Sequence, residues 1–381
     1  MQRYYFDHNA TTPVSPEVLQ AMMPVLSEVY GNASSIHHYG QMARQRLDEA
    51  RRQTASLLCA APEEIVFTSG GTEADNLALL GFGREAHVIT TTVEHPAVLA
   101  AAAQLASATY VPVDSRGLVD PDDIRRALRP DTKIISVIHA NNELGALQPI
   151  EDIARIAQEA GVAFHSDGVQ AAGKIGVDVN QLGVTLYSIA GHKLYAPKGV
   201  GALFVRKGTK LAPILHGGNH ERNRRAGTEN VPGAVALGCA AQWIIEHCPE
   251  ESRRLETLRD HLEQSVLDRI SGVHVNGGGA PRVCNTSNLR FDGIDTEPLL
   301  IALDLRGFAV SSGSACSSGA SEPSHVLTAI GLTREQARSS LRISLGRAND
   351  LAQVDALVEA LVGCVAHLRR IAPSKLAPAY A

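Results

Sequence analysis

The chain lacks any excess of positive charge: 40 Asp and Glu against 35 Lys and Arg leave a net charge of −5. There is therefore no global basic field to attract nucleic acid or anionic lipid. A long apolar run is missing too. The longest, around Val231 to Ile245, is broken by Pro232, Gly233, Gly238 and Gln242. It is shorter than a bilayer span and predicts a buried helix, so no membrane association is expected. The N-terminus, MQRYYFDHNATTP, has no apolar signal core, and secretion is not expected. No Cys-x-x-Cys pair occurs: Cys59, Cys239, Cys248, Cys284, Cys316 and Cys364 lie far apart. That spacing argues against a zinc site, and so large a chain needs no disulfide scaffold. No metal is expected, and a reducing cytoplasm fits best. Internal repeats and low-complexity tracts are absent as well.

What is present is the ordinary mix of a globular protein, 44% apolar and 20% charged over 381 residues. Such a length suits one large domain and a smaller one. Short β-branched runs alternate with amphipathic stretches. Strands are predicted within 63–71, 86–95, 133–145, 162–170, 185–193 and 201–208, and helices over 72–81, 96–106 and 150–161. This alternation predicts a mainly parallel sheet covered by helices on both faces. Polar residues collect at the strand ends, where open α/β sheets place ligands. After about residue 250 the texture changes to a charged helical stretch, shorter strands such as 285–293, a Gly/Ser-rich loop at 311–323 and a terminal helix. These predict a smaller α+β unit, joined by the extreme N-terminus.

Three features suggest a cofactor. Gly70-Gly71-Thr72-Glu73 turns a strand into a helix, and the free N–H groups of a helix start suit a phosphate. A plain turn with Thr72 as N-cap reads the same residues. Asp167 ends one predicted strand and Lys193 ends the next. An aldehyde cofactor needs an amine for a Schiff base, and its pyridine nitrogen needs a carboxylate to stay protonated. Taken singly, a strand-end Asp is a cap or surface group and a lone Lys is solvated.

The ordered segments NNELG, HSDGVQ, SIAGHKLYAPKGVGAL, RRAGTEN and SSGSACSSG resemble the NifS/IscS-type cysteine desulfurases, in the class-V branch of pyridoxal 5′-phosphate (PLP) enzymes. The resemblance runs from residue 7 to residue 347. It implies the aspartate aminotransferase-like fold: a large PLP-binding domain over 13–250, and a small domain from 1–12 and 251–381 that carries the Cys316 loop. It implies roles as well. Lys193 would form the Schiff base and shuttle protons, with Asp167 pairing with the pyridinium. Gln170 and Asn142 would bond the ring's phenolic oxygen or the substrate side of it. His95 would stack on the ring and act as acid or base, while Gly71, Thr72 and His192 would hold the phosphate. Thr228 would reach the phosphate of the other subunit of a homodimer. Arg342 would take the substrate carboxylate in a two-pronged contact. Read without the family, His95 is a strand-end residue, Asn142 a turn former and Arg342 part of a surface ion pair.

One position departs from the pattern. Many members carry a Ser that donates to the phosphate where this chain has Ala190. A charge-assisted hydrogen bond of ~1.5–3 kcal/mol is thereby lost. Ser188 keeps the same face but sits ~6–7 Å away along a strand.

Cys316 stands in a segment almost without apolar anchors, which predicts an exposed, mobile loop. Its thiolate would take sulfur from L-cysteine and carry the persulfide to an acceptor protein, an iron–sulfur scaffold or a thiolation enzyme. The other cysteines read as small buried hydrophobes. The long Gly/Ser loop resembles the first group of desulfurases. The C-terminal IAPSKLAPAYA lacks the longer tail with which IscS-type members contact their scaffold. Two alternatives stand beside this reading. One is a selenocysteine lyase or other class-V aminotransferase or lyase, which would not need Cys316. The other is a catalytically silent assembly scaffold.

Overall fold

The structure is a computed structural model and describes residues 2–312 and 323–371. In chain order the strands are β1 (Tyr4–Tyr5), β2 (Ile65–Thr68), β3 (His87–Thr91), β4 (Ser107–Val111), β5 (Thr132–Ser136), β6 (Ala163–Asp167), β7 (Leu186–Ala190), β8 (Gly201–Val205), β9 (Val273–Val275), β10 (Thr286–Phe291), β11 (Phe308–Ala309) and β12 (Ser340–Ser344). Seven form one sheet in the order β2-β8-β7-β6-β5-β3-β4. Only β8 runs against its neighbours there; the other pairs are parallel. β3, β7 and β8 are buried along their whole length, as strands covered on both faces should be. The mainly parallel α/β sheet is as expected. β4 was not anticipated, because SATYV at this edge is mostly half-buried and carries little of the apolar signal.

The helices are α1 (Pro16–Ser27), α2 (His38–Leu57), α3 (Gly71–Leu80), α4 (Pro96–Ala102), α5 (Pro121–Arg126), α6 (Ile150–Ala160), α7 (Val231–Arg269), α8 (Thr296–Asp304), α9 (His325–Ala329), α10 (Arg334–Arg338) and α11 (Leu351–Ile371). α6 ends at Gly161, whose φ of 66° is the left-handed cap that glycine adopts without strain. α7 is a single helix of 39 residues that runs on through Pro249. The change of composition near residue 250 therefore falls inside one helix. Val231, Leu237 and Ile244 of α7 pack into the core beside the large sheet. Leu255, Leu258, Leu262 and Val266 pack into a second core.

That second core is roofed by the antiparallel sheet β12-β10-β9 and by α11. The N-terminus belongs to it physically: β1 pairs with β11, and Phe6 is buried there. By length and composition α11 is the one helix among the described residues apolar enough to cross a membrane. Its Val354, Leu357, Val358, Leu361 and Val365 are buried in this core.

Candidate active site

The polar ends of the large sheet converge at one point. β6 delivers Asp167 at its C-terminal end, buried and opposite Ser188 of the parallel neighbour β7. Its Oδ1 accepts the Val169 N–H at 2.9 Å. Burial pushes the Asp167 carboxyl up, and His95 and Lys193 partly counter that push. Gly168 has to be glycine, since a Cβ there would lie 2.0 Å from the Tyr187 ring. Beyond β7 the chain tightens into a single turn, Gly191–Lys193, which presents His192 and Lys193.

Lys193 Nζ donates to the carbonyls of Asn9 at 2.5 Å and Ala10 at 2.7 Å. Thr12 fastens the same turn, donating from N and Oγ1 to the His192 carbonyl at 2.9 and 3.0 Å. His192 Nδ1 faces Thr11 Oγ1 at 3.2 Å. Burial, reinforced by Lys193, lowers the His192 pKa to about 4, so its ring is neutral at pH 7.

His95 sits at the end of the loop after β3 and caps α4, its Nδ1 accepting from Ala97 N at 3.1 Å. Its proton is thereby left on Nε2. Burial lowers its pKa, Asp167 opposing. The side-chain oxygens and nitrogens of Asp75, His95 and Asp167 come within 4.8 Å of one another. Asp75 is fully buried and held well above the usual carboxylate range, first by burial and then by Asp167.

α3 starts at Gly71 with Gly70 as its N-cap, so Thr72 is not the cap but an exposed residue of the first turn. The first helical bond closes at Ala74 N to Gly70 O, 3.1 Å, which leaves the preceding amides without helical partners. Glu73 holds this turn: it accepts from Ser69 N at 2.8 Å and pairs with Arg225 Nε at 2.9 Å. A Cβ on Gly71 would meet Val169 at 2.8 Å and Ala190 at 3.5 Å, so the start of α3 lies close against these two small side chains. Ser188 does not stand in for the hydroxyl missing at Ala190, because its Oγ bonds buried His165 Nε2 at 2.9 Å.

The turn former in NNELG is Asn141, whose Oδ1 accepts from Glu143 N and Leu144 N, both at 2.9 Å. Asn142 offers its carbonyl to Arg342 Nη1 and to Asn9 Nδ2, each at 3.1 Å. Arg342, on β12, is buried rather than on the surface and pairs with Asp7 at 2.8 Å. Gln170 Nε2 donates to the Asn9 carbonyl at 2.9 Å. Thr228 lies exposed just before α7, and its side chain forms no hydrogen bond among the described residues. Cys316 lies outside the described residues.

Two residues of this site escaped the sequence reading. Asn9 is a buried hub that receives Lys193 and Gln170 on its carbonyl. Lys174 bonds its side chain. Only the Asn of DHNATTP hinted at the first, and nothing marked the second.

An amine, a carboxylate and a helix start lined by small residues are the donors that a phosphorylated pyridine aldehyde requires. The aminotransferase class-V family model matches residues 4–357, and the chain belongs to that family. Within it, the chain is 46% identical over 380 residues to a protein of Dictyoglomus turgidum named cysteine desulfurase IscS, covering 97% of this chain and 96% of the relative. A solved structure described as a NifS-like protein superposes with a TM-score of 0.89 at 35% identity, over 96% of this chain and 100% of that one. Another, SspA in complex with cysteine, gives 0.79 at 36% identity, over 90% and 98%.

Proposed function

We propose that this chain is a PLP-dependent cysteine desulfurase that converts L-cysteine to L-alanine and passes the sulfur, held as a persulfide on Cys316, to an acceptor protein. One observation carries the reading: Lys193 and Asp167 meet at the ends of adjacent parallel strands, beside the start of α3. The relatives named cysteine desulfurases supply the reaction.

Bound there, the cofactor supplies an electron sink for the bonds broken at the substrate. Asp167 would face its ring nitrogen, and a cationic N–H there would draw the raised carboxyl back toward ionisation. Gly71, Thr72 and neutral His192 would hold the phosphate. Gln170 and Asn142 would bond the ring oxygen or the substrate beside it. Arg342, already aimed by Asp7, would take the substrate carboxylate. Lys193 would move the proton from Cα, and His95 would offer its Nε2–H. The Cys316 thiolate would then form an S–S bond while the substrate's Cβ–S bond breaks. The electron pair of that bond stays with carbon, which takes a proton and leaves as alanine.

The reading includes a cytoplasmic homodimer in which Thr228 serves the partner subunit's phosphate. Supporting it, α1 exposes Leu19, Met23 and Leu26 at helical spacing, with Tyr30 and Ile36 exposed nearby. A monomeric mass by sedimentation would remove that part. Cys59, Cys239, Cys248, Cys284 and Cys364 are free thiols, which suits a reducing compartment; only Cys284 and Cys364 are buried as expected, Cys239 and Cys248 being half-buried and Cys59 exposed.

The test is incubation with L-cysteine and a reductant beside Cys316→Ser. Alanine and sulfide form in equal amounts with the wild type, and both are lost in the variant. Sulfide release that survives the substitution would favour a selenocysteine lyase or another class-V lyase. A protein without yellow absorbance would favour the silent scaffold.

A further inference from the structure

Lys174 follows Asp167 in a tight turn and plays no part in the reaction as described. The residue is half-buried overall, but its ammonium end points inward. Nζ donates to Asn9 Oδ1 at 2.8 Å and to Gln170 Oε1 in a short contact. It forms no ion pair among the described residues, so a buried cation rests on two neutral amides. Its backbone is pinned from a distant element, since Ser252 Oγ of α7 donates to the Lys174 carbonyl at 2.7 Å.

A cation bonds an amide only through oxygen, so Lys174 sets which way the Gln170 amide faces and, together with Asn285 Nδ2 donating to Asn9 Oδ1 at 3.2 Å, holds the Asn9 amide. On Asn9 the oxygen is taken, and Nδ2 must turn to the Asn142 carbonyl at 3.1 Å and Thr286 Oγ1 at 2.8 Å. On Gln170 the oxygen is taken likewise. One Nε2 hydrogen then goes to the Asn9 carbonyl at 2.9 Å, and a second is left to donate. That carbonyl is also the one that receives Lys193.

We infer that Lys174 is a positioning residue of this site: its ammonium fixes the Asn9 and Gln170 amides, and through them the seat of Lys193 and the donor that Gln170 presents. The inference rests on the cofactor reading above. Below about pH 7, where it stays protonated, Lys174 also places a second positive charge beside the Lys193 nitrogen. Burial lowers the Lys174 pKa to about 7, Cys284 opposing and Lys193 and Arg342 assisting. His8 is the other titratable group that feels it.

The experiment is a pH titration of the yellow absorbance of the cofactor-loaded protein, with Lys174→Met, Lys174→Gln and Lys174→Arg beside the wild type. Loss of the neighbouring charge makes the Lys193 nitrogen easier to protonate. The midpoint should therefore rise by about 1 pH unit in the Met and Gln variants and stay in place in the Arg variant. The Met variant, which cannot donate to either amide, should also lose cofactor on dialysis faster than the Gln variant. Gln alone carries the test if Met does not fold. A midpoint unmoved in the neutral variants, with only thermal stability lowered, would reduce Lys174 to a structural residue and overturn the inference. Absence of any Lys193-dependent absorbance in the wild type would overturn the cofactor reading itself.

Discussion

Glu221 offers the sharpest stability test in the molecule. It sits in the turn Glu221–Asn223, where three consecutive non-glycine residues have left-handed φ values of 45°, 55° and 64°. Each costs roughly 1 kcal/mol or more, so something must hold the turn. The partner is Arg51 of α2, which donates to both Glu221 oxygens at 2.7 and 2.6 Å and to the Ile65 carbonyl at 2.7 Å. The Phe67 N–H adds a fourth bond at 3.0 Å, and the Arg51 and Glu221 side chains are only 7% and 3% exposed. Glu221→Ala would strand the Arg51 charge and the Phe67 amide, at a cost of about 3–5 kcal/mol. Urea unfolding followed by circular dichroism measures it. The double variant Arg51→Met with Glu221→Leu removes both charges together. It should be less destabilised than Glu221→Ala alone, because no charge is left unpaired. A loss under about 1 kcal/mol for Glu221→Ala, or a double variant that equals the sum of its singles, would refute the reasoning.

Two further outcomes are expected. Ala190→Ser should restore a hydroxyl beside the start of α3 and tighten PLP binding about tenfold, the equivalent of ~1.4 kcal/mol. Equilibrium dialysis reads the change, and an unaltered dissociation constant would remove the hydroxyl from the account. Glu94 is fully buried and its pKa is raised to about 8, by burial first. Folding therefore favours its protonated form, and the stability this confers is complete below about pH 4.5 and fades as pH rises toward 8. Glu94→Gln should flatten that decline, which amounts to at most ~1.4 kcal/mol per pH unit for one group. Parallel wild-type and variant stability curves between pH 5 and 8 would argue against a protonated Glu94.

What the sequence revealed was local. Asp167 ends a short buried strand and Lys193 follows another, and a strand's end is visible from its own few residues. The change of composition near residue 250 looks like a boundary between elements, yet it falls inside α7. Tertiary packing on two cores carries the helix through. Thr72 looked like a cap because hydroxyl residues favour that position, yet the cap falls two residues earlier, on Gly70. Asn9 and Lys174 were invisible for another reason. Their partners lie 4 to 277 residues away, and no pattern within a window reports which amide meets which cation.

The continuous α7 also works as a ruler. One face between Val231 and Ile244 is fitted to the first core, and a face from Leu255 onward is fitted to the second. A residue inserted between them would turn one face against the other by about 100° and shift it by about 1.5 Å. The number of residues in that interval is thus as constrained as any side chain in the pocket. Variation in this chain should accumulate by substitution along α7 and almost never by a change in its length.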